Sequence, residues 1–390
     1  FNKTYSKRAK ELFEKPIKNT TVQEALRYLN GIVARGVNDW DSYYNLQQSI
    51  AAVNTWQFCG VFENLNQSGL DIVYPPENEP VSQNGFDTNG NGIVNWYTPE
   101  NTDLEAYQFF SNHSEYGYGV NYAQTFIESP AYQRVTLRLG NSGKFKLWLN
   151  DVEIYTHNTD VTTDMDAYAI EVNLPKGYNR LLIKNAESNS ESYFILRITD
   201  PQGKTIQNLK YSSDYIAYNK STINDLKPKE LEHSIEKFFK QKVAENPQDF
   251  FHTYSLILTY LRNSKYEEAK ELLLPIQKVY PKSSLIRHLL ILCYQLEGDY
   301  TTSQELRKNM ELDDKDYYLA ILYVFQDQSR LSRMDIQELE DFLKRLADAT
   351  DQYILKESAN ILLSLRKSDR ENAKKELKSI IKRAKEDEWV

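Results

Sequence analysis

The chain has 390 residues and a formal net charge of −8, with 41% apolar and 26% charged residues. That length exceeds one ordinary core and implies two or three domains, and the composition is that of a globular protein with a sizeable core. The acidic balance argues against nucleic acid as a partner, since phosphate binding needs a clustered basic surface, and no apolar run reaches the roughly 18 residues of a membrane helix.

Two cysteines, Cys59 and Cys293, lie far apart among apolar neighbours. They exclude a disulfide framework and a cysteine-rich metal site, and read as buried thiols. The 28 tyrosines suit half-buried sheet faces and wet interfaces alike. The chain opens at Phe1 rather than methionine, so a processed or trimmed piece of a longer protein is expected.

Residues 1–53 carry a helical pattern. Val22, Ala25, Leu26, Leu29, Ile32 and Val33 fall on one face, and Asn38-Asp39 can start a second helix through Tyr43, Leu46 and Ile50.

From residue 54 to 218 the texture changes to short β-branched and aromatic runs broken by Gly, Asn, Asp and Pro. Residues 134–139, 144–149, 168–174, 179–184 and 193–198 alternate with period two, with turns at Gly140-Asn141-Ser142-Gly143, Asn150-Asp151 and Pro175-Lys176-Gly177. Many short strands with no helices between them predict an antiparallel β-sandwich.

Two local features in this region have chemical content. Asp87, Asn89 and Asn91 precede Gly92 with the alternate spacing of a calcium loop. The bidentate acid expected at the loop's end is replaced by Thr98, and an Asn-Gly hairpin turn is the favoured reading. His113, Glu115, Tyr116, Tyr118 and Tyr122, with Trp96 and Tyr97, supply aromatic and hydrogen-bonding groups of the kind that hold sugars.

The stretch from Ala123 to Pro201, with Gln124-Thr125-Phe126, the hairpin at residues 146–151 and Pro175-Lys176-Gly177-Tyr178-Asn179-Arg180, resembles the jelly-roll sugar-binding domains found beside glycoside-hydrolase catalytic domains. That family usually has Asn-Gly at the hairpin where this chain has Asn150-Asp151. The resemblance implies the fold more than sugar binding. Residues 56–64 and 69–77 resemble a segment of large bacterial extracytoplasmic proteins that precedes a transglutaminase-like domain. That resemblance implies the non-catalytic front of a longer chain and an extracytoplasmic location, periplasmic or cell-surface.

Residues 222–390 show a 34-residue period: Pro247 recurs as Pro281, Leu256 and Tyr260 as Leu290 and Tyr294, and Tyr266 as Tyr300. Each unit reads as helix, tight turn, helix. The pattern resembles the tetratricopeptide repeat, with Leu256, Tyr260, Tyr266, Ala269 and Pro281 at its signature places. Ile257 and Ile291 stand where that family prefers a small residue, and Ser303 replaces its alanine. A third unit from Tyr317 to Ala349 keeps the helical period without the signature, and a fourth is suggested at residues 370–377. Such arrays bury a face by stacking and commonly hold a partner on the concave side. Tyr254, Arg262, His288 and Gln295 are the expected groove residues. The helix near residues 42–53 is expected to complete the array with residues 229–246, the sandwich being inserted between them.

No nucleophile elbow, phosphate loop, dinucleotide fingerprint or zinc-protease helix is present in the sequence. The expectation is a non-catalytic protein without cofactor, its repeats holding a protein partner or the rest of a longer chain. Glycan binding through the sandwich loops is the alternative.

Overall fold

Helix starts are written in short acceptor side chains. Asn19, Asp39, Asp249, Ser283, Asp299 and Asp335 each accept a hydrogen bond from a backbone N–H in the first turn of the helix that follows, and each such cap is worth about 1 kcal/mol. The structure is a computed structural model and describes residues 3–88, 90, 92–100, 104–110, 119–187, 192–350 and 353–386. The chain divides into two compact units, Tyr5–Phe238 and Phe239–Val390 with Phe1–Thr4.

The first unit begins with α1 (Lys3–Phe13), α2 (Thr20–Gly36) and α3 (Trp40–Ser49). Strands β1 (Gln57–Phe62), β2 (Phe86–Asp87), β3 (Ile93–Val94), β4 (Gln108–Phe109), β5 (Gly119–Ser129), β6 (Gln133–Asn141) and β7 (Lys144–Leu149) follow. Then come β8 (Val152–His157), β9 (Tyr168–Leu174), β10 (Gly177–Glu187), β11 (Tyr193–Thr199), β12 (Lys210–Ser212), the short α4 (Ile223–Leu226) and β13 (Lys229–Leu231).

Two antiparallel sheets form the sandwich. One runs β1-β5-β10-β7-β8, with β12 also on β5, and the other runs β13-β9-β6-β11-β4. Successive strands β5, β6 and β7 therefore alternate between sheets, and the turn at residues 140–143 crosses from one to the other. Alternate side chains of each strand, such as Leu181 and Ile183 on β10 and Leu137 and Leu139 on β6, fill the space between the sheets together with Trp56, Phe58 and Phe194. Each fully buried aliphatic or phenyl side chain contributes about 1.5–3 kcal/mol.

Both outer sheet faces are covered as well. Leu70, Tyr74, Phe86, Val94 and Trp96, from the chain after β1, lie across the β1-β5-β10-β7 face, where they meet Cys59, Phe62, Tyr122, Trp148 and Leu182. On the opposite sheet Ile195 packs with Ile50, Ala106 and Met165, and Tyr28 joins them from α2. Helix α3 pairs with α2, and Ile50, which closes α3, packs against the sandwich.

α5 (Ser234–Glu245) carries the division between the units, at Phe238. The second unit continues with α6 (Phe250–Arg262), α7 (Tyr266–Val279), α8 (Ser284–Glu297), α9 (Tyr300–Asp313), α10 (Tyr318–Gln326), α11 (Gln328–Arg333), α12 (Ile336–Ala349), α13 (Tyr353–Arg366) and α14 (Arg370–Glu386). Left-handed residues close the first helices, Ser264 at φ 55° and Gly298 at φ 85°, and make the tight turn within each pair. Ile257 and Ile291, the bulky departures from the repeat pattern, are fully buried beside Leu256 and Leu290. Ser303 is also buried, in the place of a small residue. The third unit breaks where Asp327 ends the nine-residue α10 and caps α11 through the Arg330 N–H at 2.9 Å. That interruption is the reason the signature fades there.

Candidate functional site

The sandwich aromatics do not make one platform. Trp96 lies partly buried against the outer-face cluster, with the Arg180 guanidinium 5.9 Å from its ring centre. Its indole N–H donates to the Glu79 carbonyl at 3.1 Å. Tyr97, 37% exposed, bridges the Phe58 backbone and sets its ring 6.5 Å from that core residue. Burial pushes its hydroxyl up to about 12. The two rings thus turn toward opposite faces of their strand. Tyr122 is corrected from candidate platform to core: it is 0% exposed and its hydroxyl donates to Glu77 Oε1 at 2.7 Å. His113, Glu115, Tyr116 and Tyr118 lie outside the described residues.

Strands β2 and β3 pair antiparallel, with Asp87 opposite Ile93 and Phe86 opposite Val94. The Thr88 N–H and hydroxyl both bond to the Gly92 carbonyl, at 3.0 and 2.8 Å. Asn89 and Asn91 lie outside the described residues. Among the described residues no group of three His, Cys, Asp or Glu side chains could hold a metal ion.

Two buried cations of the sandwich unit went unread in the sequence. Arg180 and Lys184 point away from the inter-sheet core, on the face that alternation leaves for solvent, yet both are 1% exposed at the side chain. Lys184 Nζ donates to the Leu70 carbonyl at 2.9 Å and to Glu77 Oε1 at 2.8 Å, and lies 5.3 Å from the Tyr74 ring centre. Desolvation pulls the Lys184 ammonium down from its ordinary range, and Glu77 opposes that shift. Arg180 bonds to Gln124 Oε1 at 2.9 Å, the Pro76 carbonyl at 2.6 Å and Asp151 Oδ1 at 3.2 Å. These bonds pin residues 70–80 to the sheet. The signal for them was present in Arg180-Leu181-Leu182-Ile183-Lys184, two cations sharing a face with Leu182.

On the repeat array, Tyr254, His288 and Tyr323 occupy equivalent positions of the first helices α6, α8 and α10, and all three are half-buried. His288 Nδ1 and the Tyr323 hydroxyl are 2.7 Å apart, and burial lowers the histidine below its usual range. The Tyr323 ring lies under the Arg307 guanidinium at 4.5 Å. Arg262 is exposed in the last turn of α6 and Gln295 is half-buried near the end of α8. Tyr254 and His288 each stand fifth in their helices, α6 and α8, while Tyr323 is brought to His288, and Arg307 to Tyr323, by contact. The step from His288 to Tyr323 is one residue longer than the sequence period, which hid the third member.

No family model matches the chain, and neither does any curated protein. Among solved structures, a beta-glucosidase from Kluyveromyces marxianus in complex with glucose is similar at 10% identity and TM-score 0.22, over 29% of this chain and 15% of that one. An alpha-xylosidase from Xanthomonas citri is similar at 11% identity and TM-score 0.18, over 32% and 13%. A TPR-domain containing protein from Parabacteroides distasonis is similar at 12% identity and TM-score 0.25, over 71% of this chain and 72% of that one. This chain spans a small part of the two glycosidases. The class is defined by the fold itself: an antiparallel β-sandwich and an array of paired α-helices in one chain.

Proposed function

We propose that this protein is a non-catalytic scaffold whose helical array binds a protein partner. The observation that carries the reading is the row of Tyr254, His288 and Tyr323 on successive first helices, with Phe250 and Phe251 at 40% and 66% exposure at its start. Half-buried aromatic and amphipathic side chains on a rigid helical frame suit peptide capture, since they add contact area at low cost in side-chain order. A random-peptide selection against the full chain tests it. Enriched peptides should lose binding on Tyr254→Ala and keep it on Trp96→Ala; peptides indifferent to Tyr254→Ala would count against the array.

Glycan recognition by the sandwich loops is the second reading, supported by the partial exposure of Trp96 and Tyr97. A glycan array with wild type and Trp96→Ala decides it, and no specific binding by wild type would remove it. The resemblance of residues 56–77 also favours a place outside the cytoplasm and kinship with proteins carrying a transglutaminase-like domain. Fractionation of source cells tests the location, and recovery in the cytoplasmic fraction alone would overturn it.

A further inference from the structure

We propose that the groove between α9, α10, α11 and α12 binds an acidic peptide segment; this rests on the protein-binding reading of the array and names the ligand's chemistry and place. On α9, Lys308, Glu311 and Leu312 recur at three- to four-residue spacing and so share one face, and Lys315 stands in the turn just after the helix ends at Asp313. With Arg330 and Arg345 they line a cavity of about 570 Å³. A second cavity of about 490 Å³ shares Lys308, Glu311 and Arg330 and continues to Arg307 and Tyr323. These volumes are in the range of sites that hold several side chains of a ligand.

The charges are unevenly committed. Arg330 is taken up by Glu311, with Nη1 2.6 Å from Oε2, and Arg345 reaches Asp316 at 3.9 Å. Asp327, the other carboxylate on the lining, accepts from the Arg330 backbone N–H. Arg307 lies on the Tyr323 ring, and its buried Nε has no hydrogen-bond partner among the described residues. Lys308 and Lys315 are exposed and form no ion pair among the described residues. In a chain of net charge −8 this is a locally positive groove. Leu312, 73% exposed, and the Tyr323 ring add apolar contact beside the cations.

The geometry fits a peptide better than a nucleic acid. A phosphate backbone needs an extended basic face, whereas Asp313 closes α9 and Asp314 and Asp316 follow it.

The test uses the full chain and a fluorescein-labelled decapeptide with glutamates at every third position, read by anisotropy. The glutamine version is the control. Binding of the glutamate peptide alone is expected, falling about tenfold or more in the Lys308→Glu/Lys315→Glu double variant and weakening between about 50 and 500 mM salt. Both lysines are exposed, so the variant is expected to fold, and Lys308→Arg/Lys315→Arg should restore binding. Equal binding of glutamine and glutamate peptides, indifference to the double reversal, or equal binding of a single-stranded oligonucleotide of the same charge would each overturn the proposal. Selected peptides that depend on Tyr254 but show no acidic preference would sink this inference and leave the scaffold reading intact. No array-dependent peptide at all would end both.

Discussion

The Lys184 ammonium lies 2.8 Å from Glu77 Oε1, with 1% and 11% of the two side chains exposed. This pair ties residues 70–80 to strand β10 on a face whose alternation alone reads as solvated. Removing one partner of a buried pair strands the other charge, at about 3–5 kcal/mol. Glu77→Ala should therefore destabilise the sandwich unit by about that amount. Urea unfolding followed by tryptophan fluorescence measures it, since Trp96 and Trp148 lie in the same cluster. A loss below about 1 kcal/mol, the scale of an exposed pair, would refute the pinning role.

The hairpin at Asn150-Asp151 explains why the second position is not glycine. Both residues have positive φ, 51° and 67°, a conformation that costs a side chain about 1–2 kcal/mol. Asp151 offsets that cost through Arg180 at 3.2 Å and the Tyr218 hydroxyl at 2.6 Å. Asp151→Gly relieves the backbone and strands the buried guanidinium, so the pair term wins. We expect net destabilisation of about 2 kcal/mol in a melting experiment; a more stable Gly variant would contradict this balance.

Tyrosine ionisation sets the alkaline limit. Burial raises the hydroxyls of Tyr107 and Tyr122 well above 10.0, and that of Tyr97 to about 12. Groups raised in the folded state contribute stability that is intact below the unfolded value and lost as pH rises through the folded one. Lys184, depressed by burial, works in the opposite sense, but it is one group against several. Stability should fall as pH climbs from 10 towards 12, with tyrosinate absorbance appearing together with loss of circular dichroism. Titration of every tyrosine near pH 10 in a folded chain, with none held back to higher pH, would contradict the burial of these rings.

The His288–Tyr323 bond should be visible on the acid side. Burial depresses the histidine below 6.5, so the unfolded chain binds its proton more readily. The associated stability is present above 6.5 and is lost as pH falls. Tyr323→Phe removes the 2.7 Å hydrogen bond and should cost about 1 kcal/mol at neutral pH. NMR titration of the His288 ring checks both: an ordinary titration in wild type, unchanged in the variant, would contradict the contact.

Much of the architecture was legible because its signals are local. The turn at Asn150-Asp151, the alternation along β6 and β10, and the period linking Leu256 to Leu290 depend on neighbours in sequence. Long-range coverage was not legible. Alternation shows that Arg180 and Lys184 share a face, but not that Leu70, Tyr74, Phe86 and Trp96, beyond β1, fold back over it. For the same reason Tyr122 read as a platform, although it is fully buried. On the array, Tyr254 and His288 followed from the period, while Tyr323 was displaced by one residue and α11 hid behind the break at Asp327.

The scaffold account is tested most directly by amide hydrogen exchange of the full chain with and without a peptide taken from the selection. Slowed exchange in α6, α8 and α10, where Tyr254, His288 and Tyr323 stand in one row, is the predicted result. Protection confined to residues 54–218, with those helices unchanged, would contradict it.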